Sequence, residues 1–168
     1  LFTEEDIVQF KEGKHFRIYD KLGAHQIQIQ GIHGVYFAVW APNAMQIAVI
    51  GNFNGWNRSS HLLLGRWDGS GIMEGFIPGI SKGEVYKYFI ESYQGARLEK
   101  GDPYANYWEL RPKTASIVWD LNYSWNDKSW MKKRKNHNAL NKPMSVYEVH
   151  LGSWKRNPDA PDTMLTYL

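Results

Sequence analysis

The sequence predicts an all-β fold, an antiparallel β-sandwich over residues 26–119, and three observations carry the prediction. Short runs rich in β-branched and aromatic residues recur at 35–40, 47–50, 72–77 and 84–90. Gly, Pro, Asn and Asp clusters punctuate them roughly every ten residues, the spacing of sandwich strands. Nothing in that stretch repeats with the helical period. The 168 residues are 43% hydrophobic with eight Trp, enough to build a core and exclude disorder over most of the chain. There is no cysteine, so there is no disulfide framework and no thiolate chemistry. A net charge of +3 with both signs interspersed is too mild for a nucleic-acid partner or a membrane surface. No apolar run approaches the ~18 residues of a membrane span, and no basic-then-apolar leader opens the chain, so the expected compartment is the cytoplasm.

Taken in order, Thr3-Glu4-Glu5-Asp6 is a helix start, with Thr3 as N-cap and acidic residues in the first turn. Ile7 and Phe10 follow at helical spacing and Gly13 ends the helix. Residues 14–25 form a mixed segment suited to crossing a sheet edge, which makes 1–25 an N-terminal extension. A strand is expected at 26–30 and a turn at 31–34. The apolar runs 35–40 and 47–50 flank Ala41-Pro42-Asn43, and the pair reads as a β-hairpin. Short strands follow at 61–64, 72–77 and 84–90, then a turn at Gln94-Gly95 and a last strand ending near Val118. Composition turns polar over 120–142, a linker carrying the basic run Lys132-Lys133-Arg134-Lys135, with Trp125 and Trp130 tacking it to a neighbour. After Pro143 the stretch 145–151 reads as a strand, and Asp162 is placed to N-cap a helix from Thr163. A strand, a loop and a helix start with no partner strand is the opening of an α/β unit, so the chain reads as a fragment.

The candidate site is the loop Gly51-Asn52-Phe53-Asn54-Gly55-Trp56-Asn57. An aromatic on a Gly/Asn loop has no periodic partner, so Trp56 serves either as a platform for a ligand or as a lid folded back on the sandwich. Pyranose C–H faces lie flat on aromatic rings while their hydroxyls seek Asn, Asp, Lys and Glu, and Asn54 and Asn57 flank the Trp. In 84–90, Tyr86, Tyr88 and Ile90 share one face and Val85, Lys87 and Phe89 the other. Lys87 on an apolar face either snorkels to water or binds a ligand. No catalytic set emerges. The six histidines show no metal-ligand spacing, and there is no phosphate loop and no nucleophile elbow. The carboxylates are scattered singles rather than a glycosidase pair. No cofactor or metal is expected.

The runs F-A-V-W-A-P-N-A, G-N-F-N-G-W-N, Y-K-Y-F-I, D-P-Y-A, R-P-K-T-A-S and Y-E-V-H-L-G-S-W closely resemble bacterial 1,4-α-glucan (glycogen) branching enzymes. F-K-E-G-K-H-F-R-I-Y-D-K-L-G-A-H at 10–25 extends the resemblance over nearly the whole chain. It implies that the sandwich is an immunoglobulin-like family-48 carbohydrate-binding module. It implies that 143–168 is the first strand and loop of a (β/α)8 α-amylase-type barrel, whose missing remainder is a partner of this chain. The whole enzyme would cleave an α-1,4 linkage and transfer the chain to a 6-hydroxyl by a retaining double displacement, with an Asp nucleophile and a Glu acid/base that lie on later strands. No catalytic residue falls in this chain, and α-glucan is the implied ligand. Trp56 and Lys87 match the stacking Trp and the hydroxyl-binding Lys of such modules. The second stacking Trp would fall near Arg97, where there is no aromatic; Tyr93 is the nearest upstream. Asp102 to Tyr104 and Arg111 to Ser116 are implied contacts with the barrel. The same resemblance leaves open a purely structural spacer, or the module of a debranching enzyme.

Overall fold

The computed structural model describes residues 1–137 and 140–165. The chain divides into two compact units, Leu1–Asn122 and Tyr123–Leu168.

The first unit opens with helix α1, Glu4–Lys11. Thr3 and Asp6 form a reciprocal cap: the Asp6 amide donates to the Thr3 hydroxyl (3.2 Å) and the Thr3 amide to the Asp6 carboxylate (2.7 Å). The same carboxylate takes Lys21 at 2.8 Å and His15 at 3.0 Å, which ties the chain after α1 back onto it.

Strands β1 (Gly23–Ile29), β2 (Ile32–Trp40), β3 (Ala44–Gly51), β4 (Leu62–Gly65), β5 (Ile72–Pro78) and β6 (Val85–Ser92) follow. Short strands β7 (Arg97–Lys100), β8 (Tyr107–Trp108) and β9 (Ser116–Ile117) complete the unit. All pairs are antiparallel, in the order β1-β2-β5-β4-β3-β6-β9-β8, with β7 also paired to β6, next to β9 on the edge opposite β3. Strand β4 makes this one curled sheet. Leu62 and Leu63 pair with β3, while Leu64 and Gly65 pair with β5. β1, β2 and β5 form one layer, and β3, β6, β7, β8 and β9 the other. Between them lie Val35, Phe37, Val39, Ile47, Val49, Ile77, Tyr86 and Tyr88, with Phe37 edge-on to Tyr86 at 5.0 Å. The sandwich expected from the sequence is present.

The hairpin expected over 35–50 is not. β2 and β3 do not pair; they lie in opposite layers. Both edges of β2 are taken by β1 and β5, and both edges of β3 by β4 and β6. The Ala41-Pro42-Asn43 turn carries the chain across, closed by the Ala44 amide on the Ala41 carbonyl (3.0 Å) and the Ala41 amide on the Gly71 carbonyl (2.9 Å). A Cβ at Gly71 would lie 2.7 Å from the Pro42 Cβ, so this corner needs the glycine. A strand buried on both faces seeks two ladder partners, and here the nearest run in sequence is neither of them.

The second unit holds helix α2 (Lys128–His137), a single helical turn α3 (Leu151–Trp154), and strands β10 (Arg156–Asn157) and β11 (Ala160–Met164). The basic run 132–135 sits on α2 and is exposed. Trp125 is 70% exposed against Tyr123 at 4.8 Å, so its expected role as a tack is not seen within this unit. The strand expected over 145–151 does not form: residues 143–150 carry no regular structure, and Val146 and Tyr147 are exposed. An inner barrel strand is held by ladders on both edges, and the described residues offer 145–151 neither. Thr163 and Met164, where a helix is expected to start, lie instead in β11, and the rest of that expected helix lies outside the described residues. Asn157 accepts the Asp159 amide at 3.0 Å and turns the chain into the β10–β11 hairpin instead.

Candidate glucan-binding face

The loop that carries Trp56 leaves β3 at Gly51. A Cβ there would lie 2.2 Å from the Val85 carbonyl oxygen and 2.6 Å from the Phe53 ring, so only glycine fits. A short 3-10 turn, Asn52–Asn54, follows. Asn54 is the hub of the loop. Its carbonyl accepts the Gly51 amide at 3.0 Å, and its amide nitrogen reaches the Val49 carbonyl (3.0 Å), the Ser60 hydroxyl (3.1 Å) and His61 Nδ1 (3.0 Å).

Gly55 and Trp56 are both left-handed, with φ of 60° and 61°. A non-glycine residue there costs about 1–2 kcal/mol. The loop holds it with the Trp56 amide on the Gly51 carbonyl (2.9 Å) and Trp56 Nε1 on Asn52 Oδ1 (3.0 Å). The residue is 37% exposed. Trp56 is therefore fixed in place rather than folded into the core. Asn57 accepts the Ser59 amide at 2.8 Å.

Lys87 sits on β6 opposite Ile50 of β3 and faces outward from the second layer. It is half-buried and has no ion-pair partner among the described residues. Around it the outer face is apolar: Ala48, Ile50 and Phe89 form a buried cluster of their own. The predicted residues thus divide. Trp56 and Lys87 present accessible groups on the loop and the outer face, while Asn54 is consumed in holding the loop.

Sequence reasoning missed three features of this unit. Arg58 lies over the Phe89 ring at 5.2 Å and binds Glu99 of β7. The outer face of the first layer carries Arg66 Nε on Asp68 (2.7 Å) and Arg66 Nη1 on Glu74 (2.7 Å), with the Tyr36 hydroxyl donating to Glu74. Burial raises the Asp68 carboxyl, but hydrogen bonds from Ser70 and Arg66 outweigh it and leave it at about 2. In the core, Asp102 accepts the Tyr86 and Tyr88 hydroxyls at 2.8 and 2.9 Å, and its amide donates to the Ser116 hydroxyl at 2.8 Å. Burial pushes the Asp102 carboxyl up and the two tyrosine hydroxyls up with it. Asp102, Ala115 and Ser116, expected as contacts with a barrel, are buried and cannot face one. The partners are 14 to 16 residues apart, so no local pattern announces them. Among the described residues no group of three or more His, Asp or Glu is arranged for a metal, and no helix is long and apolar enough to cross a membrane.

Residues 21–105 match carbohydrate-binding module 48 (isoamylase N-terminal domain). The chain is 58% identical over 153 residues to the 1,4-alpha-glucan branching enzyme GlgB of Thermosynechococcus vestitus, covering 90% of this chain and 20% of that one. It is 47% identical over 167 residues to GlgB of Aquifex aeolicus, covering 99% and 26%. It spans about a fifth to a quarter of the length of these curated relatives. The maltotriose complex of a PulA variant from Klebsiella pneumoniae superimposes with a TM-score of 0.50 at 29% identity, over 62% of this chain and 11% of that one. The matched residues run from just before β1 to just after the Asp102 clamp and take in Trp56 and Lys87, and the chain belongs to the carbohydrate-binding module 48 family.

Proposed function

We propose that this chain is the module-bearing part of a glycogen branching enzyme and that its second layer holds α-glucan on its outer face. The single observation that supports this best is the 58% identity to a 1,4-alpha-glucan branching enzyme over 90% of the chain. The Klebsiella pullulanase structure with maltotriose bound belongs to a protein of similar fold, which supports the same ligand class. In this reading Trp56 stacks on a pyranose C–H face, the Lys87 ammonium and the Asn57 amide bind ring hydroxyls, and Asn54 shapes the loop. The whole enzyme breaks an α-1,4 linkage and forms an α-1,6 branch, with its two catalytic carboxylates in the barrel that residues 143–168 open. The sandwich, the linker 120–142 and that opening are the divisions proposed for the chain, and the cytoplasm is its proposed compartment.

Titration with maltoheptaose, followed by Trp fluorescence and heat, tests the site. Saturable binding that is lost in Trp56→Ala supports it; no binding by the folded chain sinks it. For the whole enzyme, branching shifts the iodine spectrum of amylose without new reducing ends, whereas debranching produces them. One observation favours a second reading, a structural spacer: the polar groups of Asn52 and Asn54 are taken up inside the loop.

A further inference from the structure

The outer face of the second layer contains a second aromatic ring, and it is covered. Phe89 is only 6% exposed although it lies on the outward side of β6, beside Ala48 and Ile50. The Arg58 guanidinium lies over the ring, 5.2 Å from its centroid. That guanidinium is anchored by Nε and Nη2, at 3.0 and 2.6 Å, to one oxygen of Glu99. Glu99 is the cross-strand partner of Phe89 in the β6–β7 ladder, so the anchor lies beside the ring. The Arg58 side chain is nonetheless 60% exposed, and an exposed ion pair of this kind is weak and screened by salt. Arg58 also comes two residues after Trp56 in the same loop.

We propose that Phe89 is a second sugar-stacking subsite, closed in the free protein by Arg58 and opened when an α-glucan chain displaces the guanidinium. The inference rests on reading this face as a glucan site. A guanidinium and a pyranose C–H face compete for the same π-surface, because both present a flat partner with a positive edge to the negative face of the ring. A displaced Arg58 keeps five N–H donors free for sugar hydroxyls. Arg97 is engaged elsewhere, its guanidinium binding Glu91 at 3.0 Å. The displacement breaks only the Arg58–Glu99 pair and the cation–π contact; no covalent bond changes.

The test is a maltoheptaose titration of wild type, Trp56→Ala, Arg58→Ala, Glu99→Gln and Arg58→Ala/Phe89→Leu at low and high salt. Because the ligand is neutral, wild-type binding is expected to tighten as salt loosens the ion pair. Arg58→Ala is expected to bind about threefold to tenfold tighter with no salt dependence, and Phe89→Leu in that background to cancel the gain. Glu99→Gln falls between wild type and Arg58→Ala. The Arg58 Nε–H resonance, ring-shifted in the free protein, is expected to move to its solvent position as maltoheptaose is added. An unchanged affinity in Arg58→Ala with an unmoved Arg58 resonance overturns the subsite. If wild-type binding is still lost in Trp56→Ala, the face remains a glucan site with a fixed Arg58 cap. Absence of binding by every variant removes the face as a site and the subsite with it.

Discussion

The two outer faces of the sandwich begin alike and end differently. Each layer carries an apolar row on its outer side: Tyr36, Ala38 and Ile72 on the first, Ala48, Ile50 and Phe89 on the second. The first is sealed by α1 and the chain around it, with Phe2, Ile7 and Leu22 buried against it. The half-buried Arg66–Asp68–Glu74 cluster lies at its edge, with Arg66 over the Phe2 ring at 5.7 Å. The second row is just as buried, and there the exposed Arg58 lies over the Phe89 ring. A face sealed by a helix is lost to ligands, whereas a face covered by a weak surface pair stays open to any partner that replaces the pair. In the proposed reading the first layer is the structural side and the second the recognition side.

Breaking the seal is expected to have the largest effect. Ile7→Ala removes a side chain that is 4% exposed and is expected to cost about 3 kcal/mol, read as a fall in Tm. Arg66→Ala leaves two carboxylates and the Tyr36 hydroxyl facing each other; with its side chain 12% exposed, a loss of about 2 kcal/mol is expected by urea denaturation. The same cluster sets a pH dependence. The Asp68 carboxyl lies at about 2 when folded, below its ordinary 3.8, so the stability it contributes is present above 3.8 and is lost as pH falls toward 2. The Tm gap between wild type and Asp68→Asn should therefore close over that window; a gap that persists at the acid end contradicts the assignment. On the recognition side, Arg58→Ala is expected to change stability by less than about 0.5 kcal/mol while altering glucan affinity. A large stability loss there would erase the contrast between the faces.

The contrast was only partly legible in the sequence. The period-two alternation in 84–90 placed Lys87 and Phe89 together on one face, and the structure does so. The Gly/Asn composition of 51–57 marked an irregular loop, and Trp56 stands on it in a left-handed conformation. Thr3 and Asp6 announced α1, because a cap is a local signal. What the pattern could not give was pairing at a distance. Arg58 meets Glu99 from 41 residues away, and Tyr36 meets Glu74 from 38. The 35–50 region failed for the same reason. Its local turn chemistry suited a hairpin, but edge occupancy, a property of the whole sheet, decided the matter. The stretch 145–151 failed oppositely: its residues favour a strand, and a strand exists only where a ladder is supplied.

The crossover between β2 and β3 has a consequence in time. A hairpin there could have closed within microseconds and seeded the layers. Instead Val35 must find Ile77, and Ile47 must find Ile90, each across some forty residues, before either strand gains a ladder bond on that edge. Loop closure over such distances is paid in chain entropy ahead of any contact, which places this sandwich among slow-folding, non-local topologies. Stopped-flow refolding of this chain is expected on the millisecond-to-second scale. Over that interval the β5-facing edge of 35–40 and the β6-facing edge of 47–50 stand unpaired, so the chain is most vulnerable to self-association while it folds rather than once it is folded.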